Sequence, residues 1–206
     1  MNTPRALKYL LITATLACTT VLSGCGLPRM IDSDVQSFVG GEGAVTGVGY
    51  RFERLPSQQA RSDQQESIEA MAEQALSEVG LHRDDKAPRY SAQVSVGVRT
   101  IAPPEQRRAR AERSILRPDG VAVFMPPFGL VIEPPWYRHS VQLLLRDVGT
   151  SKVAFESTAS FDGPWADSTR LLPVVMRAAL RDYPNPPPGP RKVVIELPAD
   201  GTPADE

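Results

Sequence analysis

The first hydrophobic pattern along the chain is an uncharged, mostly apolar run from Tyr9 to Leu22, preceded by Arg5 and Lys8. At 14 residues it is shorter than the roughly 20 needed to cross a bilayer core, and a basic start followed by such a run has the layout of an export signal. Residues 26–43 show no period: polar residues, Pro28 and the cluster Gly40-Gly41-Glu42-Gly43 predict a flexible tether over 25–43. About 18 residues of coil have an r.m.s. reach on the order of 25 Å. Period-two alternation begins in the segment Val45 to Leu55, which predicts a strand with Val48, Tyr50 and Phe52 on one face. Gly47 and Gly49 weaken it, and Pro56-Ser57 ends it.

A helix is expected next. Ile68, Met71, Ala72, Ala75, Leu76 and Val79 form one apolar stripe at helical spacing, with Glu66, Glu69 and Glu73 elsewhere on the circumference. Ser62-x-x-Gln65 matches a capping box at its start, and Gly80 stands where a left-handed C-terminal cap belongs. Tyr90 to Ile101 alternates as a strand, with Tyr90, Ala92, Val94, Val96 and Val98 on one face and Gln93, Ser95, Gly97 and Arg99 on the solvated one. Strand patterns resume at His139–Asp147 and Lys152–Phe161, joined by the hairpin loop Val148-Gly149-Thr150-Ser151. A second helix is predicted from near Asp167 to Tyr183, with Pro173 in or near its first turn, and Lys192–Leu197 as a last short strand. The order β-α-β-(long insertion)-β-β-α-β predicts one α+β domain over 44–197: a mostly antiparallel sheet with two helices packed on one face. An irregular insertion at 103–137 and a disordered tail at 198–206 complete the layout.

Composition narrows the chemistry. The 206 residues are 41% hydrophobic, which argues for a folded domain. The balance of 23 basic against 24 acidic residues leaves no footprint for nucleic acid. The glycine cluster at 40–43 lacks the strand–G-x-G-x-x-G–helix context of a dinucleotide site. With 2 His and 2 Cys, few ligands remain for a metal cluster, and Asp32-x-Asp34 lacks the acid and glycine that would continue a calcium loop. Asp84-Asp85 reads as a turn and His82 as a surface residue. His139 beside Ser140 is the one tempting catalytic pair, but neighbours on a strand point to opposite faces, and no G-x-S-x-G elbow is present. No catalytic, cofactor or metal residue is assigned, and no enzyme activity is expected.

The apolar run ends in Leu22-Ser23-Gly24-Cys25, which resembles the lipobox of bacterial lipoproteins. The resemblance implies a signal peptide over 1–24, lipid on the Cys25 thiol and an acylated new N-terminus. Two or more acyl chains hold a protein stably at a membrane, where one is marginal. Cys18 leaves with the signal, so the mature chain keeps no thiol beyond Cys25 and no disulfide. Gly26, rather than Asp, after the cysteine resembles lipoproteins sorted to the outer membrane, facing the periplasm. Further along, Tyr50-Arg51-Phe52-Glu53-Arg54-Leu55-Pro56, Glu78-Val79-Gly80-Leu81 and Tyr90-Ser91-Ala92-Gln93-Val94-Ser95-Val96 are similar to the proteobacterial lipoprotein family called domain of unknown function 4136. So are the hairpin Leu144-Leu145-Arg146-Asp147…Lys152-Val153-Ala154-Phe155 and the helix end Arg181-Asp182-Tyr183-Pro184. Phe155 stands where that family often has Trp. The resemblance implies a cell-envelope lipoprotein and supplies no catalytic residue.

The insertion is the remaining informative feature, because some 30 residues without regular structure inside a small domain usually have a use. It carries Arg107, Arg108, Arg110, Arg113 and Arg117, whose planar forks suit phosphate and carboxylate groups. Phe124, Phe128 and Trp136 follow on proline-stiffened chain. Residues 105–136 are therefore expected to contact an envelope protein or anionic lipid, through Arg107, Arg108, Arg110, Arg113, Phe124, Phe128 and Trp136. The bland reading is that the arginines are solvated and the aromatics plug the core. The expected function is a non-enzymatic binding or envelope-assembly role at the membrane; the alternatives are a small envelope hydrolase and a carrier of an apolar or lipidic ligand.

Overall fold

The computed structural model describes residues 29–104, 107, 114–116, 122–124 and 134–197. Cys25, the signal segment 1–24 and the tail 198–206 lie outside the described residues, as does most of the insertion. The chain divides into two compact units, 30–195 and a second made of 1–29 with 196–206. Only Arg29, Glu196 and Leu197 of the second are described. The elements run β1 (Arg29–Val39), β2 (Gly49–Phe52), α1 (Pro56–Gln59), α2 (Ser62–Glu78), β3 (His82–Arg83) and β4 (Tyr90–Ile101). They continue as β5 (Ser114–Leu116), β6 (Ala122–Phe124), β7 (Trp136–Asp147), β8 (Val153–Gly163), α3 (Ser168–Leu180) and β9 (Arg191–Leu197).

One seven-stranded sheet has the order β3-β2-β4-β7-β8-β1-β9, and β5 pairs with β6 apart from it. The pairs β4–β7, β7–β8 and β8–β1 are antiparallel, while β2 runs parallel to β3 and β4. This is the expected α+β class with a mostly antiparallel sheet. Alternation along β7 buries Val141, Leu143 and Leu145 and leaves Gln142 exposed, so one face of the sheet is apolar. Helix α2 contacts β4, and α3 contacts β7, β8 and α2. Ile68, Ala72 and Leu76 of α2 and Leu171, Val175 and Met176 of α3 close the core over Ala92, Val94, Phe155 and Ala159.

Several expectations change. The tether is wrong for most of its length, since Arg29–Val39 forms a sheet strand. Its inward positions are Ile31, Ser33, Val35 and Ser37, all buried, while Met30 and Phe38 face outward and are exposed. Serine inside and apolar residues outside cancel the hydropathy alternation. Ser37 is tolerated there because Ser157 Oγ, 2.9 Å from Ser37 Oγ, donates to the Ala179 carbonyl of α3 at 2.6 Å. The strand predicted over 45–55 shrinks to Gly49–Phe52. Residues 44–48 form a loop instead, in which the Val45 N–H donates to Tyr90 Oη at 3.1 Å and the Val45 carbonyl accepts from Tyr183 Oη.

The helix stripe is as predicted, but its start is not. Ser62 is the first helical residue behind an Arg61 cap, not a capping residue itself. Gln65 is used elsewhere. Strand β2 ends at Phe52 opposite Ala92, so the Val94 carbonyl beyond it lacks a strand partner. The side-chain amides of Gln58 and Gln65 donate to it at 2.8 and 3.4 Å. Glu69 is buried rather than solvated, gripped by the Arg54 guanidinium at 2.7 and 2.8 Å. Gly80 does cap the helix: its φ is +80°, Gly80 N–H donates to Ser77 O at 3.0 Å and Leu81 N–H to Leu76 O at 3.0 Å. Pro173 lies in the second turn of α3, where its missing N–H costs only the bond to the Thr169 carbonyl. The helix stops at Leu180 rather than Tyr183.

Two further corrections concern the insertion end. Burial along β4 stops at Val94, and Val98 is 46% exposed, so from Gly97 to Thr100 both faces of the strand meet solvent. The insertion is not wholly irregular, because β5 and β6 pair antiparallel with Ser114 opposite Phe124. Phe155, fully buried, and the exposed Val98 separate core from surface. Phe155→Ala is expected to cost about 3–5 kcal/mol in a urea melt. Val98→Ala is expected to stay within about 0.5 kcal/mol.

Candidate functional site

Register gathers charge where the insertion leaves and rejoins the sheet. Ile101 opposes Trp136 and Arg99 opposes Arg138 across β4 and β7, and Arg138 opposes Asp162 across β7 and β8. These residues have the parity of the solvated face. The Arg138 fork donates to both Asp162 oxygens at 2.6 Å, and Arg107, at the edge of the insertion, reaches Asp162 Oδ2 at 3.2 Å. The bonds from Arg138 hold the Asp162 carboxyl below its ordinary range, against partial burial, with Arg107 adding to the effect. One carboxylate thus positions two guanidiniums, with the exposed Arg99 on the neighbouring strand. Such a row can receive phosphate or carboxylate groups.

Of the residues singled out in the sequence, Arg107 and the half-buried Trp136 belong to this corner. Phe124 lies on β6. Arg108, Arg110, Arg113, Phe128 and Cys25 lie outside the described residues. Arg99, Arg138 and Asp162 were missed, since on a strand they read as ordinary solvated positions and only register brings them together.

At the hairpin end of the sheet a cleft of about 320 Å³ is lined by Gly41, Glu42, Gly43, Arg89, Asp147, Lys152, Val153 and Ala154. Its charges are matched: Arg89 Nε lies 2.8 Å from Asp147 and Lys152 Nζ 2.7 Å from Glu42. The Thr150 N–H bond holds the buried Asp147 carboxyl below its ordinary range, with Arg89 contributing. A Cβ on Gly40 would meet the Val153 carbonyl oxygen at 1.9 Å, so close backbone approach explains one glycine of the 40–43 cluster. The arrangement latches a loop onto a turn. Among the described residues no three His, Cys, Asp or Glu side chains gather as a metal site.

No family model matches the chain, and no curated protein matches it. Among solved structures it is similar to a point-variant PelC dodecamer from Paraburkholderia phytofirmans, at TM-score 0.42 and 14% identity over 72% of this chain and 94% of that one. A second PelC dodecamer from the same organism gives TM-score 0.41 and 15% identity over 72% and 95%. A PDZ domain protein from Parabacteroides distasonis ATCC 8503 gives TM-score 0.44 and 12% identity over 89% of this chain and 42% of that one. Similarity at this level assigns neither fold nor function.

The remaining chemical candidates are placed by the strands that carry them. Ser140 lies on the solvated face and donates to the Gly97 carbonyl at 3.2 Å, whereas its neighbour His139 is fully buried beside Phe161. Asp84 accepts from the Lys86 and Ala87 N–H groups as a turn residue, and Lys192 lies 3.6 Å from Asp32 and 3.0 Å from Asp34. Neither His139 ring nitrogen closes a well-formed hydrogen bond. Burial pushes this histidine below its ordinary 6.5, against the opposing Ala166 backbone carbonyl and Asp167 charge. With the folded value depressed, the unfolded chain takes the proton first. The contribution is whole above 6.5 and is lost as pH falls from there through the folded value. The urea midpoint is therefore expected to fall between about pH 7.5 and about pH 5, a window above carboxylate titration. His139→Leu should flatten that fall; an unchanged slope in the variant would refute the assignment.

Proposed function

We propose that this chain is a lipid-anchored protein of the bacterial cell envelope, held by acyl chains on Cys25 at the outer membrane, with a non-enzymatic binding or assembly role in the periplasm. The observation that carries the reading is Leu22-Ser23-Gly24-Cys25 placed directly after a basic start and a short apolar run. An acyl anchor is a means of attachment that needs no spanning helix, and no helix among the described residues is long and apolar enough to cross a membrane. A binding role draws support from the solvated sheet face. The groups gathered there at the insertion are arginines, a carboxylate they hold ionised and a tryptophan, which suit recognition better than bond making.

The anchor is tested first. Cys25→Ala is expected to abolish labelling by a fatty-acid probe in cells, and persistent labelling would refute it. The binding role is tested with photocrosslinkers at Gln36, Gln142 and Arg107, all exposed. At least one position is expected to capture an envelope protein; none captured from all three would remove the assembly role.

A further inference from the structure

Chain length limits how far the proposed anchor stands from the sheet. Cys25 precedes Met30 by five residues, and an extended chain spans at most about 3.5 Å per residue, so about 18 Å separates them at most. Met30 is the second residue of β1, at the end of the sheet from which the insertion springs. Asp34 opposes Ser160 on β8, Tyr137 opposes Gly163, and Trp136 opposes Ile101 on β4. Continuing the register puts Met30, Trp136 and Ile101 in a line along the rim on the solvated face. With strands about 4.8 Å apart, that line is about 15 Å long. Met30 is 55% exposed, and Trp136 and Ile101 are half-buried.

Two residues further in, about 7 Å along the strands, the same face carries Arg99 opposite Arg138, with Arg107 joined to Asp162. Asp162 is shared by two guanidiniums, and Asp34 of β1, 3.0 Å from Lys192, acts on Arg138 as well, so the positive excess on the β4–β7 side is centred on Arg99, with Arg107 and Arg138 beside it. An apolar rim containing a tryptophan, backed by arginines, is the order of groups that a bilayer interface favours. Apolar atoms enter the acyl boundary, the indole sits at headgroup level, and cations meet anionic phosphates.

We infer that this corner rests on the anionic headgroup layer of the same bilayer that holds Cys25, so that the sheet stands on the membrane by its insertion end. The inference depends on the lipid-anchor reading above. Its chemistry is lipid phosphate, recognised by Arg99, Arg107 and Arg138, with Trp136 as the interfacial group. Each cation near an anionic surface changes the docked-to-undocked ratio about five-fold.

The test uses the full-length protein isolated from cells, with its intact mass measured to count acyl chains. Trp165→Phe leaves Trp136 as the only tryptophan. This variant is reconstituted into phosphatidylethanolamine vesicles containing phosphatidylglycerol with brominated acyl chains. Trp136 emission is expected to be blue-shifted and quenched. Arg99→Gln and Arg107→Gln should each lower the docked-to-undocked ratio about five-fold, and a matching thermal melt confirms that they fold. If Trp165→Phe disturbs its stack on Phe161, Trp136→Phe is the reciprocal probe, and the phosphatidylglycerol-dependent quenching should then disappear. An acylated protein whose Trp136 is not quenched overturns the inference and leaves the anchor standing. Quenching equal in brominated phosphatidylcholine vesicles and unchanged by the arginine substitutions also overturns it. A Trp136 shift that follows protein concentration rather than lipid assigns the corner to a second copy and overturns it too. A mass without acyl chains overturns the anchor and the inference together.

Discussion

The pairing of β7 along its whole length with β4, and from Tyr137 to Arg146 with β8, is the constraint on which the rest depends. Because side chains alternate with period two, that register decides at once which residues enter the core and which meet at the rim. A slip of one residue would turn the buried His139 toward solvent and bring Ser140 inside. It would also remove Val141, Leu143 and Leu145 from beneath the helices and part Arg138 from Asp162. Core burial therefore enforces the geometry of the charged corner, whose half-buried Arg138–Asp162 pair it holds in register.

A second set of contacts attaches the flanking strands to that centre, and it is polar. Ser37, Ser157 and the Ala179 carbonyl form a buried chain from β1 through β8 to α3. Arg191 of β9 extends it, bonding Asp182 at 2.7 Å and Ser37 at 3.3 Å. Small side chains there let the helix lie close to the sheet, and each satisfied bond adds on the order of 1 kcal/mol while specifying one arrangement. Tyr90 and Tyr183 act alike on the 44–48 loop, holding the N–H and carbonyl of Val45. The alternation of large apolar residues builds the middle of the sheet, and hydrogen bonds place its margins.

This division explains what hydropathy shows and what it hides. Strands β4, β7, β8 and β9 and helices α2 and α3 carry enough periodic Val, Leu and Ala to be read within a few residues of their ends. Strand β1 is hidden because Ser33 and Ser37 occupy inward positions and Met30 and Phe38 outward ones. Glu69 and Gln65 look like helix surface because their reasons for being buried, Arg54 and the unpaired Val94 carbonyl, lie on other elements. At the insertion end, Arg107 and Trp136 are visible as part of a biased segment, whereas Arg99, Arg138 and Asp162 look like ordinary polar positions until antiparallel pairing brings them together. The cleft beside Asp147 is hidden for the same reason, since Glu42, Arg89 and Lys152 come from three separate stretches of chain.

Replacing the expected tether by a strand alters the mechanics of an anchored protein. A coil of about 18 residues would let a domain range on the order of 25 Å from its lipid and turn freely. Under the proposed anchor at Cys25, β1 begins four residues later, a linker too short for such freedom, and one end of the sheet would be confined to the layer next to the headgroups. Such confinement would lower the entropic cost of any further contact with the same surface, because the corner would already be held at high local concentration above it. Weak individual attractions, such as those proposed for Arg99 and Trp136, would then suffice to set an orientation that they could not maintain for a protein free in solution. In that proposed orientation the length of β4, β7 and β8 would lead away from the membrane. Partners reaching the solvated sheet face, with Gln142 and Thr158 at its middle, would approach from the periplasmic side.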